Sequence, residues 1–308
     1  MQRSADYTDI LHVRDVELVR REVRAVVSAL APGFDFTDFE RVFDDVVTLF
    51  EGRFPGYKAC NTDYHDLGHT LSTLLATARL MHGVHIERKP LTPRLVNMGL
   101  IAALLHDTGY IQRAGEAGGT GARHTLTHVF RSVLFTAAYL RDAGLREEDA
   151  RDCGAMIQCT APSADISKIR FAEHGVKTVG HIVATADIVG QMADDIYLEK
   201  LSILYQEFQE GGVRGFENEF DLLKKSMGFY EFITYRLRLD MGNVFRCLRS
   251  HFLARHGIDR NLYNEYIRKN MVYLARIVEE HGEDYPRMLR RSLDRTPRGR
   301  TAPVAASA

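Results

Sequence analysis

Leu100-Ile101-Ala102-Ala103-Leu104-Leu105-His106-Asp107 is an apolar run that ends abruptly in an imidazole and a carboxylate. Upstream stands Thr92-Pro93, a capping hydroxyl followed by a residue whose fixed φ suits a first helical turn. The stretch from Pro93 to about His106 therefore reads as a helix that is apolar nearly all round, and such a helix belongs inside a core. An imidazole and a carboxylate at its end need compensation, because burying either one unpaired is costly. A metal cation would supply it. The plainer reading is a C-terminal histidine followed by a surface aspartate.

Outward from this helix, nearly every long segment has helical period, and strand-like alternation is scarce. Asp15 to Leu30 reads as a helix stopped by Ala31-Pro32-Gly33, and Thr37 reads as the cap of Asp38–Gly52. A turn at 53–56 precedes a helix around Tyr64 to His82. After Asp107, Gly109 and the glycine-rich 115–121 read as loop. Helices follow at about 123–142, 147–158 and 175–209, the last with a break. Gly211-Gly212 marks a turn, and 216–225, 228–255 and 260–280 complete the pattern. The expectation is one all-α domain over residues 1–285. Pro286 to Ala308, rich in Arg, Pro, Ser and Ala, is expected to be a disordered tail.

The 308 residues can bury a sizeable core. A net charge of −1 and a pI near 6.9 give no global pull toward nucleic-acid polymers or an anionic membrane. Neither a signal peptide nor a membrane span is legible. The four cysteines form no Cys-x-x-Cys pair and read as reduced thiols, which points to a cytoplasmic setting.

Two further stretches join His106-Asp107. In Asp63-Tyr64-His65-Asp66-Leu67-Gly68-His69, the histidines are spaced to share one face of a helix. In Val179 to Gly190, Asp187 interrupts an apolar helix, where a carboxylate is either salt-bridged or a ligand. His181, nearly two turns earlier, reads as structural. His124 and His128 make another pair spaced by four. Arg113 and Arg123 flank the glycine-rich loop and read as solvated or phosphate-contacting. The stripe from Phe229 to Leu237 reads as helix core. The basic pairs Lys224-Lys225 and Arg290-Arg291 read as solvated charge, and the remaining histidines receive no role.

Taken together, His69, His106-Asp107 and Asp187 resemble the His…His-Asp…Asp pattern of the HD superfamily of phosphohydrolases, which build a metal site inside a multi-helix bundle. Tyr64-His65-Asp66-x-x-His69 is similar to the Tyr-His-Asn-x-x-His signature of class I cyclic-nucleotide phosphodiesterases. Tyr205 to Gly211 and Ser226 to Ile233 resemble later segments of that family, so the likeness spans about residues 60 to 240. The resemblance implies that His65 is a general acid and that His69, His106, Asp107 and Asp187 hold one or two divalent ions (Zn, Mn, Mg or Fe). It further implies that Phe229 stacks on a base. Asp66 would orient a histidine, and His128 and, less directly, His124 would serve a second metal or the site's surround. Gln191, one turn after Asp187, would contact substrate or buttress that ligand.

The chain departs from the family at three places. Asp66 replaces its Asn, Tyr110 stands where a second His follows the His-Asp pair, and Ser226 stands where a Gln reads the base. Serine is too short for the bidentate contact an amide makes to a purine edge. The expected activity is hydrolysis of a cyclic nucleotide or related phosphodiester by metal-activated water, with a small phosphoester or nucleotide as partner. A homo-oligomer is compatible with the sequence. The alternatives are a nucleotidase or other phosphomonoesterase, a di-iron HD oxygenase that enlists His124 and His128, and a non-catalytic nucleotide sensor.

Overall fold

The computed structural model describes residues 7–88, 90–280 and 282–289. Helices open where a short polar side chain precedes an apolar period. The side chains of Asp15, Asp66, Thr92 and Asn218 each accept from a backbone N–H three residues on, satisfying a donor that the first turn leaves orphaned. In chain order the helices are α1 (Thr8–Leu11), α2 (Val16–Leu30), α3 (Thr37–Phe50), α4 (Leu67–Glu87), α5 (Pro93–Leu105) and α6 (His128–Asp142). They continue with α7 (Glu147–Gln158), α8 (His174–Met192), α9 (Tyr197–Glu210), α10 (Glu219–Leu239), α11 (Leu248–His256) and α12 (Leu262–Glu280). No strand forms among the described residues, which carry one isolated antiparallel bridge, Tyr57 to Arg113. The chain is all-α.

Helices α4, α5 and α8 form the centre and pack on one another. Their buried residues lie on almost every side, as expected of helices without a polar face. Gly99 lets α5 and α8 approach closely, since a β-carbon there would lie 2.6 Å from Val179 Cγ1. Around this centre, α2 buries Val19, Val23, Val26, Val27 and Leu30, and α3 buries Phe39, Val42, Phe43, Val46 and Leu49. Arg79 of α4 is fully buried, with both terminal guanidinium nitrogens bonded and Nε without a partner among the described residues. It donates to the carbonyls of Ile10 and Leu11 and to the Tyr263 hydroxyl, joining the N-terminus to α12. No helix of the described residues is long and apolar enough to cross a membrane.

Several expected boundaries move. Thr37 does not cap α3; its N–H and hydroxyl both donate to Asp35, at 2.9 and 2.6 Å. Helix α4 begins at Leu67, so His65 precedes it and the shared helical face expected for His65 and His69 does not form. A 3₁₀ turn, Gly121–His124, precedes α6, so His124 and His128 do not share a helix. The break placed before Gly228 is absent, and α10 runs through it. The chain reverses instead at Gly242 (φ +60°) and Asn243 (φ 52°), left-handed positions that suit glycine and tolerate asparagine. The disordered tail expected from Pro286 does not hold for its first described residues. Gly282–Arg287 is a 3₁₀ helix, and Met288 and Leu289 pack on the core; residues 290–308 lie outside the described residues.

Candidate functional site

Three central helices deliver four donor side chains to one point. His69 lies in the first turn of α4, His106 and Asp107 follow the last residue of α5, and Asp187 lies in the third quarter of α8. The His69 Nε2 is 3.2 Å from His106 Nε2, 3.1 Å from Asp107 Oδ2 and 3.2 Å from Asp187 Oδ1. The His106 Nε2 is 3.2 Å from Asp107 Oδ2 and 3.7 Å from Asp187 Oδ1. An ion about 2.1 Å from each donor would set neighbouring donors about 3.0–3.4 Å apart, so the spacing fits a first coordination shell. The tautomer fits as well. His106 Nδ1 lies 2.8 Å from the Ala103 carbonyl, to which it can only donate, so the Nε2 lone pair of the neutral ring points at the other donors.

Opposite charges draw the members of this cluster together. Burial opposes charge on His69, but hydrogen bonds and fields from Asp107 and Asp187 outweigh it and raise the imidazole to about 9. His106 is raised in the same way, chiefly by Asp107 acting against burial. Burial would raise the Asp107 carboxyl, yet the His106 ring holds it well below the usual carboxylate range; Asp187 is lowered likewise by both histidines. Asp66 acts through the backbone. It accepts the His69 N–H at 2.8 Å and so sets where α4 starts.

His65 sits beside the four donors on the segment before α4. Its Nδ1 meets Glu207 Oε2 of α9 at 2.6 Å, and Glu207 Oε1 accepts the Tyr64 N–H at 2.7 Å. Glu207 is buried and oriented from both oxygens, which leaves His65 Nε2 as the nitrogen free to act. Sequence reasoning passed over Glu207, although it falls inside the quoted Tyr205–Gly211 segment. The available signal was a carboxylate on the apolar side of an amphipathic helix. Gln191 buttresses rather than reaches out: its Nε2 donates to Asp187 Oδ1 at 2.6 Å and its Oε1 accepts from the Tyr64 hydroxyl at 2.8 Å.

Tyr110 is sandwiched between two imidazoles, with its ring centroid 4.3 Å from that of His65 and 4.5 Å from that of His128. His128 donates from Nδ1 to the Thr125 carbonyl at 2.6 Å and turns Nε2 to within 3.7 Å of Asp107 Oδ1. Gly109 makes this approach feasible, because a β-carbon there would overlap the His128 carbonyl oxygen. His124 is not brought to the site. Its Nε2 lies 3.5 Å from Glu116 Oε2, outside the cavity lining. Arg123 is spent on the carbonyls of Ala117 and Gly118, and Arg113 does not line the cavity either.

The cluster opens into a cavity of about 620 Å³ reached by His65, Asp107, Tyr110, His128 and Asp187. Phe229 and Ser226 of α10 both line it. The Ser226 hydroxyl donates to the Leu222 carbonyl at 2.8 Å, one turn back, and Phe229 is 41% exposed.

No curated protein and no solved structure matches the chain. A family model described as Npun_R2479-like matches residues 25–238, well over half of the chain, and every residue of the cluster falls inside that span. The chain belongs to the Npun_R2479-like family.

Proposed function

We propose that this protein is a metal-dependent phosphoester hydrolase of the HD type. The observation that carries this reading is the convergence of His69, His106, Asp107 and Asp187 at ligand spacing, with His106 Nδ1 bonded to the Ala103 carbonyl so that Nε2 faces the other three, beside a cavity-lining His65 backed by Glu207. A divalent ion held by those four residues would supply a Lewis acid and an activated water. The rest belongs to the chain itself. Glu207 holds His65 by Nδ1, so a proton on Nε2 is aimed into the cavity, where it can pass to the departing alkoxide oxygen. Gln191 restrains the Asp187 carboxylate, and Asp66 fixes the backbone from which His69 projects.

The di-iron oxygenase reading draws on both His124 and His128; His128 reaches Asp107, but His124 faces Glu116 rather than the cluster, and that missing histidine favours the hydrolase. The setting proposed is cytoplasmic, supported by four cysteines that are all free thiols.

The test is turnover of bis-p-nitrophenyl phosphate and cyclic nucleotides by chelator-stripped protein resupplied with Mn, Mg, Zn or Fe(II). Asp107→Asn is expected to lose metal and activity together. His65→Asn is expected to keep the metal while turnover falls by roughly 10²-fold or more. Loss of stoichiometric metal in His65→Asn, or full activity in Asp107→Asn, would overturn the assignment.

A further inference from the structure

The cavity beside the cluster is walled by Ile188, Leu201, Leu204, Leu222, Phe229 and Ile233, from α8, α9 and α10. Of its polar side chains away from the cluster, Ser163 and Arg214 lie exposed at the surface and the Tyr197 hydroxyl stands among apolar walls, while most of the others are committed elsewhere. Thr125 and Thr160 donate to the carbonyls of Ala122 and Ile157, each three residues back, and Ser226 donates to Leu222 O. Gln191 uses both ends of its amide on Asp187 and Tyr64. The Arg236 guanidinium is taken by the carbonyls of Pro162 and Ala164, and Lys225 by Asp221 and the Gly215 carbonyl. A nucleobase buried here would find its donor and acceptor edge unmatched by these side chains, and each unmet group costs roughly tenfold in affinity. An alkyl or isoprenoid group would meet only surface that prefers to leave water. The apolar lining also reaches the surface, since Leu126 and Phe229 line the cavity and are 72% and 41% exposed. An extended chain could therefore enter without crossing a polar rim at those residues.

Resting on the hydrolase reading above, the geometry points to a substrate that is the phosphoester of an apolar alcohol, with its aliphatic group in the α8–α9–α10 cavity and its phosphoryl group at the His69–His106–Asp107–Asp187 cluster. Nucleotides are then poor substrates because the cavity offers their bases little to pair with.

The experiment compares diesters that share one leaving group. Metal-loaded wild-type protein is given p-nitrophenyl methyl, butyl and octyl phosphate, and p-nitrophenyl thymidine 5′-phosphate. The value of kcat/KM is expected to climb roughly fourfold per added methylene until the cavity is filled, on the order of 50-fold from methyl to butyl. The octyl ester is expected to exceed the thymidine ester at least tenfold. Phe229→Asp, at a partly exposed position, is expected to collapse the octyl-to-methyl ratio at least tenfold. A flat chain-length series, or a thymidine ester that matches the octyl ester, overturns the apolar substrate and leaves the hydrolase standing. Hydrolysis of none of the four overturns the hydrolase. In that case calorimetric binding of octyl phosphate and butyl phosphate decides the cavity's role: tighter octyl binding sustains it, and equal or absent binding overturns it.

Discussion

At the residue scale, the cluster is two imidazoles and two carboxylates whose charges offset one another. The two carboxylates raise both imidazoles, with His69 at about 9, so at neutral pH the metal-free cluster stores proton charge that a cation would displace. The sign follows from linkage. Raised histidines stabilise the metal-free fold fully below their unfolded value near 6.5, and that contribution is lost as pH rises through about 9. Metal binding runs the opposite way and strengthens with pH across the same window. Ion binding at pH 7 is expected to release at least one proton, measured by calorimetry in two buffers of different ionisation enthalpy. Zero release would show that the rings are neutral before the ion arrives. His65 and Glu207 show how tertiary context makes a pairing that spacing did not reveal: the histidine lies outside α4, and its partner comes from α9.

At the element scale, the join between α4 and α11 carries a second pair of histidines with the opposite electrostatics. His82 Nδ1 and His251 Nδ1 are 3.2 Å apart, and the buried His251 Nε2 has no hydrogen-bond partner among the described residues. Burial lowers His82 to about 4 and lowers His251 further, helped by Arg79 and Arg255. Here the unfolded chain binds more protons than the fold below pH 6.5, so stability is present above that value and falls as pH drops toward 4. The melting temperature is therefore expected to fall between pH 7 and pH 5. A His251→Asn variant is expected to show a shallower acid limb in thermal melts followed by circular dichroism. An unchanged slope would place the acid sensitivity elsewhere. The helices themselves were readable where the local signals agree, as at the Thr92 cap, over the period ending at Leu30 and at the end of α7. The reading failed at Thr37 and Gly228. In the first, a nearer carboxylate captured the hydroxyl; in the second, a glycine was carried by its helix without a turn.

At the scale of the whole molecule, the four candidate ligands come from three helices that form the centre of the bundle, so an ion would tie α4, α5 and α8 together. Binding to the folded state alone stabilises it by mass action, by about 2.7 kcal/mol when free ion is a hundredfold above Kd. Added Zn or Mn is expected to raise the melting temperature by several degrees and a chelator to reverse the gain, with no response in Asp107→Asn. A wild-type melt indifferent to both would remove the metal from the picture.

Sequence alone determined the all-α class and the candidate ligands, because helical period and interrupted apolar runs are local: His106-Asp107 and Asp187 stand out against their own neighbours. Only the tertiary structure decided which candidates meet. Glu207 joined the site and His124 left it, Gln191 and Ser226 turned out to be committed to the protein itself, and the walls from α8, α9 and α10 enclosed an apolar cavity. The physical reason is that distance and hydrogen-bond commitment between residues far apart in the chain are set by how whole helices pack, and no local pattern carries that information.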